Sequence, residues 1–136
     1  MNEDFVPFEL AKKLEEKGFN WKTLESYTDK IKQKHLVSID SDIAVVEVKD
    51  IVNTYPKPTI SQVLKWLREE KNISIEIYST ATGWGVEIYN AGNVKKDDYS
   101  GGSFLAEIEG DNNSGRFDTY EEAALAGLEY VIGNLI

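Results

Sequence analysis

Few residues in this chain have the type and spacing to do chemistry. Catalysis of the Ser–His–Asp kind needs an imidazole base, and the only histidine is His35, which follows Lys34 and precedes an apolar run. It reads as a surface or strand-end residue. There is no cysteine, which removes thiol nucleophiles, zinc–thiolate sites and disulfides together. Asp111, Asn113 and Glu122 fall at the first, third and twelfth positions of a calcium-loop spacing. Arg116 stands where that loop needs glycine, and Gly115 offers no side-chain oxygen, so the segment reads as a strand-to-helix loop. Gly83-Trp84-Gly85 lacks the lysine and the following helix of a phosphate loop. Asp97-Asp98 and Gly101-Gly102 read as a solvated loop, not a lid. Glu76 and Glu87 are placed to approach one another across a hairpin, where one carboxyl would be raised in pKa, but no pocket partner accompanies them. No catalytic residue, metal ligand or cofactor is therefore expected.

The elements that would position these residues emerge from periodicity. Phe8, Ala11 and Leu14, widened by Leu10, predict a helix from Pro7 to Lys17, with Gly18 as its C-terminal stop and Phe19 packing back on it. Residues 20–34 suit either a helix or a strand. Leu36–Ile39 and Ile43–Val48 flank Asp40-Ser41-Asp42 and predict a hairpin, after which Pro56 and Pro58 suggest a linker. Thr59 with Gln62 forms a capping-box pattern ahead of the stripe Ile60, Val63, Leu64 and Leu67, with Trp66 at its margin. Ile73, Ile75 and Ile77 alternate with Ser74, Glu76 and Tyr78, and Trp84, Val86 and Ile88 with Gly85, Glu87 and Tyr89. Phe104, Ala106 and Ile108 predict a third strand, with Leu105, Glu107 and Glu109 on its other side. Thr119 and Glu122 cap a last helix that buries Ala124, Leu125, Leu128, Val131, Ile132 and Leu135.

The expected fold class is α+β in a single domain, 1–136. Residues 59–136 form an α-β-β-β-α core, an antiparallel meander with two helices on one face. Residues 1–58 precede it as a helix and a β-hairpin.

The chain of 136 residues carries 15 Lys and Arg against 24 Asp and Glu, a net charge of −9. Residues 1–58 hold 9 basic and 11 acidic side chains, net −2, and residues 59–136 hold 6 and 13, net −7. Such a surface repels phosphate backbones, so direct nucleic-acid binding is not expected. No apolar run approaches the ~20 residues that span a bilayer, and the first ten residues lack the apolar stretch of a secretory signal. The expectation is a cytoplasmic protein with no membrane partner.

Three blocks resemble a widespread group of small uncharacterised proteins of gut bacteria and their phages. They are Phe5-Val6-Pro7-Phe8-Glu9-Leu10-Ala11-Lys12-Lys13-Leu14 with Gly18-Phe19, then Pro58-Thr59-Ile60-Ser61-Gln62-Val63-Leu64-Lys65-Trp66-Leu67-Arg68-Glu69, and Asp118-Thr119-Tyr120-Glu121-Glu122-Ala123. Many members carry Pro-Cys soon after the Gly-Phe; here Trp21-Lys22 stands there, so any role of that cysteine is absent. The resemblance implies a phage or mobile-element neighbourhood and no known activity. The α-β-β-β-α order is also similar to that of double-stranded RNA-binding domains, which place basic residues at the start of the last helix. Here that helix opens Thr119-Tyr120-Glu121-Glu122, of the opposite charge.

Alternation directs Glu76, Tyr78, Glu87, Tyr89, Leu105 and Glu107, with Glu109, to the sheet face away from the helices. Aromatics interleaved with acids suit a basic protein segment. The function expected from this pattern is a non-enzymatic protein-interaction or regulatory domain of phage or mobile-element origin. The alternatives are an acidic nucleic-acid mimic and an enzyme with an unrecognised site.

Overall fold

The computed structural model describes residues 4–39, 42–93, 96–97 and 101–136, with side chains at all of these except 31–39 and 42–51. The element order is α1 (Phe8–Glu16), β1 (Glu25–Ile39), β2 (Asp42–Lys57), α2 (Ile60–Glu70), β3 (Ile73–Thr80), β4 (Gly83–Asn90), β5 (Ser103–Ile108) and α3 (Tyr120–Asn134). This is the expected α+β arrangement. β1 and β2 form a two-stranded antiparallel ribbon, and β3-β4-β5 form an antiparallel meander.

Each helix starts and stops for a local reason. Pro7 stands in extended backbone as the N-cap of α1, one position earlier than the sequence suggests, and its carbonyl accepts the first helical bond from Ala11 at 2.9 Å. At the other end Gly18 takes φ 97°, which a Cβ would disfavour. The Phe19 N–H then reaches back to the Leu14 carbonyl at 2.9 Å, and the Gly18 N–H to Glu15 at 3.1 Å, which closes the helix and buries the Phe19 ring. In α2 the Thr59 hydroxyl accepts from the Gln62 N–H at 3.2 Å. The reciprocal half of the capping box is absent, because the Gln62 amide donates instead to the Lys22 carbonyl at 2.7 Å. Thr119 accepts from the Glu122 N–H at 3.1 Å and caps α3.

The two helices α2 and α3 cover one face of the meander. Ile73, Ile75, Val86 and Ile88 are buried on that face with Val63, Leu67, Leu128, Val131 and Ile132 from the helices. Gly127 lets α3 approach the sheet, since a Cβ there would lie 2.8 Å from the Ile75 Cγ2. Trp66, expected at the margin of the α2 stripe, is 2% exposed, because the Phe19 ring closes over it edge-on at 5.3 Å. Val6, Leu10, Ala11 and Leu14 belong to the same buried cluster. The segment before α1 is clipped to the start of α2 through an isolated antiparallel bridge, with Val6 N–H to Pro58 at 2.9 Å and Ile60 N–H to Asp4 at 3.0 Å.

Two sequence expectations are corrected. Pro56 is not in a linker: β2 runs through it to Lys57, paired with Ser26 on β1. Proline is tolerated because each strand of a two-stranded ribbon has an open side where no N–H is needed. Residues 20–34, undecided between helix and strand, contribute the first part of β1 from Glu25. The base of this ribbon is tied to α1 by Phe8, whose ring meets Tyr27 at 5.3 Å and Tyr55 at 5.6 Å, and by the Tyr27 hydroxyl, which donates to the Val6 carbonyl at 2.6 Å. The expected turn residues Asp40 and Ser41 lie outside the described residues.

The second correction concerns β5. Pairing runs Ile88 with Ala106 but Tyr89 with Phe104, so Leu105 is the extra residue of a β-bulge. The expected run of Phe104, Ala106 and Ile108 on the helix-covered face is broken by it. Phe104 lies across from Tyr89 on the opposite face and is 57% exposed.

Leu128→Ala is expected to lower unfolding free energy by about 2–5 kcal/mol, and Thr59→Ala by roughly 1 kcal/mol. Urea denaturation followed by circular dichroism measures both, and a near-zero loss for Leu128→Ala would contradict the core assignment.

Candidate functional site

The face of the meander away from the helices is the outcome of two constraints. Burying Ile73, Ile75, Val86 and Ile88 forces their neighbours outward, because side chains alternate along a strand. The strand register then sets which of those neighbours meet. Glu76 stands opposite Glu87, and Glu87 opposite Glu107, so three glutamates form one row across three strands. On one side of this row, Ser74 pairs with Tyr89 and Tyr89 with Phe104. On the other, Tyr78 pairs with Gly85, and the antiparallel bridge between Trp84 and Phe117 brings Arg116 alongside.

Like charges directly opposite one another destabilise a sheet, so the row needs compensation. Each carboxylate has a donor. The Ser74 hydroxyl donates to Glu76 Oε1 at 2.7 Å. The Tyr89 hydroxyl donates to Glu87 Oε2. The Arg116 guanidinium lies 3.5 Å from Glu107 Oε1 and 5.8 Å from the centre of the Tyr78 ring. That seat, between a carboxylate and an aromatic face, combines an ion pair with a cation–π contact.

Tyr89 is held above the usual tyrosine range. The leading cause is its hydrogen bond to Glu87, followed by desolvation and by the negative charges of Glu87 and Glu76 with a contribution from Tyr78. The phenolate would have to form beside two carboxylates after losing the bond that its proton makes.

The aromatic pieces are fixed by glycine and by edge-on contacts. A Cβ on Gly85 would fall 2.3 Å from the Tyr78 Cζ, so the ring lies directly over this position. Tyr89 and Phe104 meet edge-on at 5.6 Å. Leu105, at the bulge, is 40% exposed. Glu76 and Glu107 are exposed, and Tyr78, Glu87 and Tyr89 are half-buried. The ribbon and α1 therefore leave this face uncovered, and Glu109, past the end of β5, is exposed as well.

Five of the six expected surface residues, Glu76, Tyr78, Glu87, Tyr89 and Glu107, thus gather on one side of the meander by register, while Leu105 is the unpaired residue of the bulge. Sequence reasoning missed Phe104, hidden by the bulge, and Arg116. Arg116 carries a legible signal: it is the sole Lys or Arg after Lys96 in a stretch of nine Asp and Glu.

The other expected features resolve differently. Asn112 organises the loop after β5: its carbonyl oxygen accepts from the Ser114 N–H at 3.0 Å and the Arg116 N–H at 2.9 Å, while its amide donates to the Thr82 carbonyl at 3.0 Å. A structural asparagine thus explains the segment read against a calcium loop. Gly83, with φ 139°, faces the Phe117 carbonyl where a Cβ would sit at 2.5 Å, and the Trp84 ring meets Tyr120 at 5.5 Å. His35 falls within β1 opposite Glu47, but its side chain lies outside the described residues, as does Asp98 of the Asp97-Asp98 pair. Among the described residues, no group of three or more His, Asp or Glu side chains is placed to hold a metal ion. No helix among them is long and apolar enough to cross a membrane. A groove of about 320 Å³ lies elsewhere, lined by Phe5, Lys22, Leu24, Glu25, Lys57, Thr59 and Gln62. Its central cation is engaged: Lys57 Nζ is 3.1 Å from Glu25 and 4.5 Å from the Phe5 ring centre. No family model, curated protein or solved structure matches the chain.

Two outcomes are expected. In an ultraviolet tyrosinate titration, the transition lost in Tyr89→Phe lies above the ordinary value near 10, and Glu87→Gln moves it down. Because the folded value is raised, the stability contributed by the Tyr89–Glu87 bond is full below the unfolded value and is lost as pH rises through the folded one. A transition at or below the ordinary value would contradict the bond. Gly85→Ala is expected to displace Tyr78 at a cost of about 1–3 kcal/mol in thermal or urea unfolding.

Proposed function

We propose that this chain is a non-enzymatic protein-interaction module whose outer sheet face receives a basic segment of a partner protein. The observation that carries this reading is the seat of Arg116. On an otherwise acidic face, one guanidinium from the chain itself lies between Glu107 and Tyr78. The remaining carboxylates, Glu76 and Glu87, lie in the same row, flanked by Tyr78 on one side and by Tyr89 and Phe104 on the other. Their neighbours Ser74 and Tyr89 supply hydroxyl donors but no positive charge. A partner's arginine or lysine brings that charge and replaces a like-charge contact with an ion pair. Tyrosine and phenylalanine beside it supply contact area at low entropic cost.

A second reading, an acidic decoy that occupies a nucleic-acid-binding protein, is favoured by the net −7 on residues 59–136. It treats the charge as diffuse, whereas the first reading treats it as a row. The two are separated by reversing charge in two places. With an arginine- or lysine-rich peptide as probe, Glu76→Lys with Glu87→Lys is expected to weaken binding by about tenfold or more. Glu121→Lys with Glu129→Lys, which makes the same change in net charge on α3, is expected to weaken it by no more than about twofold. Equal losses from both pairs would favour the diffuse reading, and no loss from the first pair would remove the sheet face as the site.

A further inference from the structure

The meander ends in two exposed strands, β3 and β5, and they differ. β5 has six residues, a bulge at Leu105 and a carboxylate already engaged by Arg116, which are features that blunt an edge. β3 has eight residues in unbroken register with β4, from Ile73 opposite Asn90 to Thr80 opposite Gly83. It contains no proline and no lysine.

The hydrogen-bond pattern identifies which backbone groups β3 leaves open. Trp84 on β4 exchanges both of its bonds with Phe117, at 2.8 and 2.9 Å, and so faces away from β3. Antiparallel strands alternate in this respect, so Gly83, Gly85, Glu87 and Tyr89 face β3. The Ala91 N–H, which donates to the Asn72 carbonyl at 2.7 Å, fits the same alternation. The partners Thr80, Tyr78, Glu76 and Ser74 therefore spend their backbone groups on β4. Ile73, Ile75, Ile77 and Ser79 direct theirs to the open side, and among the described residues no backbone bond reaches them there.

Charge points to what this edge accepts. Glu76 lies on β3 itself, at the end of the glutamate row opposite Arg116. Among the described residues no cation stands within ion-pair distance of it. A strand added at β3 would run about 4.8 Å away, and the residue opposite Glu76 would have its β-carbon about 5 Å from that of the glutamate. A basic side chain there ends the row as Arg116 ends it on the other side. One residue along, the incoming side chain would point to the helix-covered side, beside half-buried Ile77.

We infer that β3 is a docking edge for strand addition, and that its occupant is an extended partner segment in which basic residues alternate with apolar ones. The main-chain bonds to Ile75 and Ile77 hold the segment, and the basic positions beside Glu76 select it. This inference rests on the proposed reading of the outer face and adds the mode of binding to it.

The experiment uses the full chain and a synthetic peptide of alternating lysine and valine, with amide hydrogen exchange and fluorescence anisotropy as readouts. The Ile75 and Ile77 amides are expected to exchange rapidly in the free protein and to slow by about tenfold or more with peptide. Ser79→Pro removes an outward N–H at an exposed edge position where proline is accommodated, and is expected to weaken the peptide by about tenfold. Glu76→Lys is expected to weaken it at least as much. Binding lost in Glu76→Lys, but with Ile75 and Ile77 unprotected and Ser79→Pro unchanged, would overturn the edge while leaving the face reading intact. Binding unaffected by Glu76→Lys would overturn both. Protection that rises with protein concentration in the absence of peptide would give the edge to a second copy of the chain, and would overturn the inference. Should Ser79→Pro fail to fold, exchange in the unaltered protein decides alone.

Discussion

The register of β3 and β4 is the constraint on which the rest of this structure depends. Ile73 and Ile75 on one strand, and Val86 and Ile88 on the other, must share the face that α2 and α3 cover. Gly127 brings α3 so close that a Cβ would stand 3.1 Å from the Val86 Cγ1 and nearer still to Ile75, so this contact tolerates little displacement. A slip of one residue on either strand would turn its glutamate and tyrosine into the helices. The hydrophobic core thus fixes the outer face without any residue of that face contributing to it. The alignment of Glu76, Glu87 and Glu107 is a by-product of burial, and the cost of placing like charges together is met locally by Ser74, Tyr89 and Arg116. The three remedies are unequal. Only the third supplies a positive charge, and among the described residues no cation stands at the row's β3 end.

How much of this was legible depended on how locally each feature is determined. The caps at Thr59 and Thr119 involve residues three apart, and the Gly18 stop involves five, so single-sequence patterns find them. β3 and β4 alternate cleanly because one face is buried and the other is wet. Glu76, Tyr78, Glu87 and Tyr89 could be grouped for the same reason. Phe104 could not be placed, because a bulge inserts one residue and reverses the facing of its neighbours without leaving a mark in the hydrophobic pattern. The ribbon was underestimated because none of its described side chains, at 25–30 and 52–57, is buried, so no core face imposes alternation there. Its base is set by tertiary contacts, Phe8 against Tyr27 and Tyr55, that no local pattern encodes. Trp66 was placed at a margin because the residue that buries it, Phe19, comes from forty-seven positions earlier in the chain.

The face and the edge belong to one arrangement. A sheet of three strands leaves two edges, and this one blunts β5 with a bulge while β3 remains straight. The same strand carries Glu76 and Tyr78 outward and Ile75 and Ile77 inward. Backbone bonding and side-chain recognition would therefore act on the same few residues of a partner. Arg116 is the internal reference for that chemistry: it shows where a cation rests on this surface, and it does so from a loop held in shape by Asn112.

The most direct test of the central claim, that the outer face of the meander is the binding surface, is nuclear magnetic resonance chemical-shift mapping during titration of the full chain with a basic extended peptide. The account predicts perturbations that centre on Ser74, Glu76, Tyr78, Glu87, Tyr89 and Phe104, with the outward faces of α1, α2 and α3 unchanged. Perturbations centred instead on the groove of Phe5, Leu24 and Lys57, or spread evenly over the acidic residues of the chain, would contradict it.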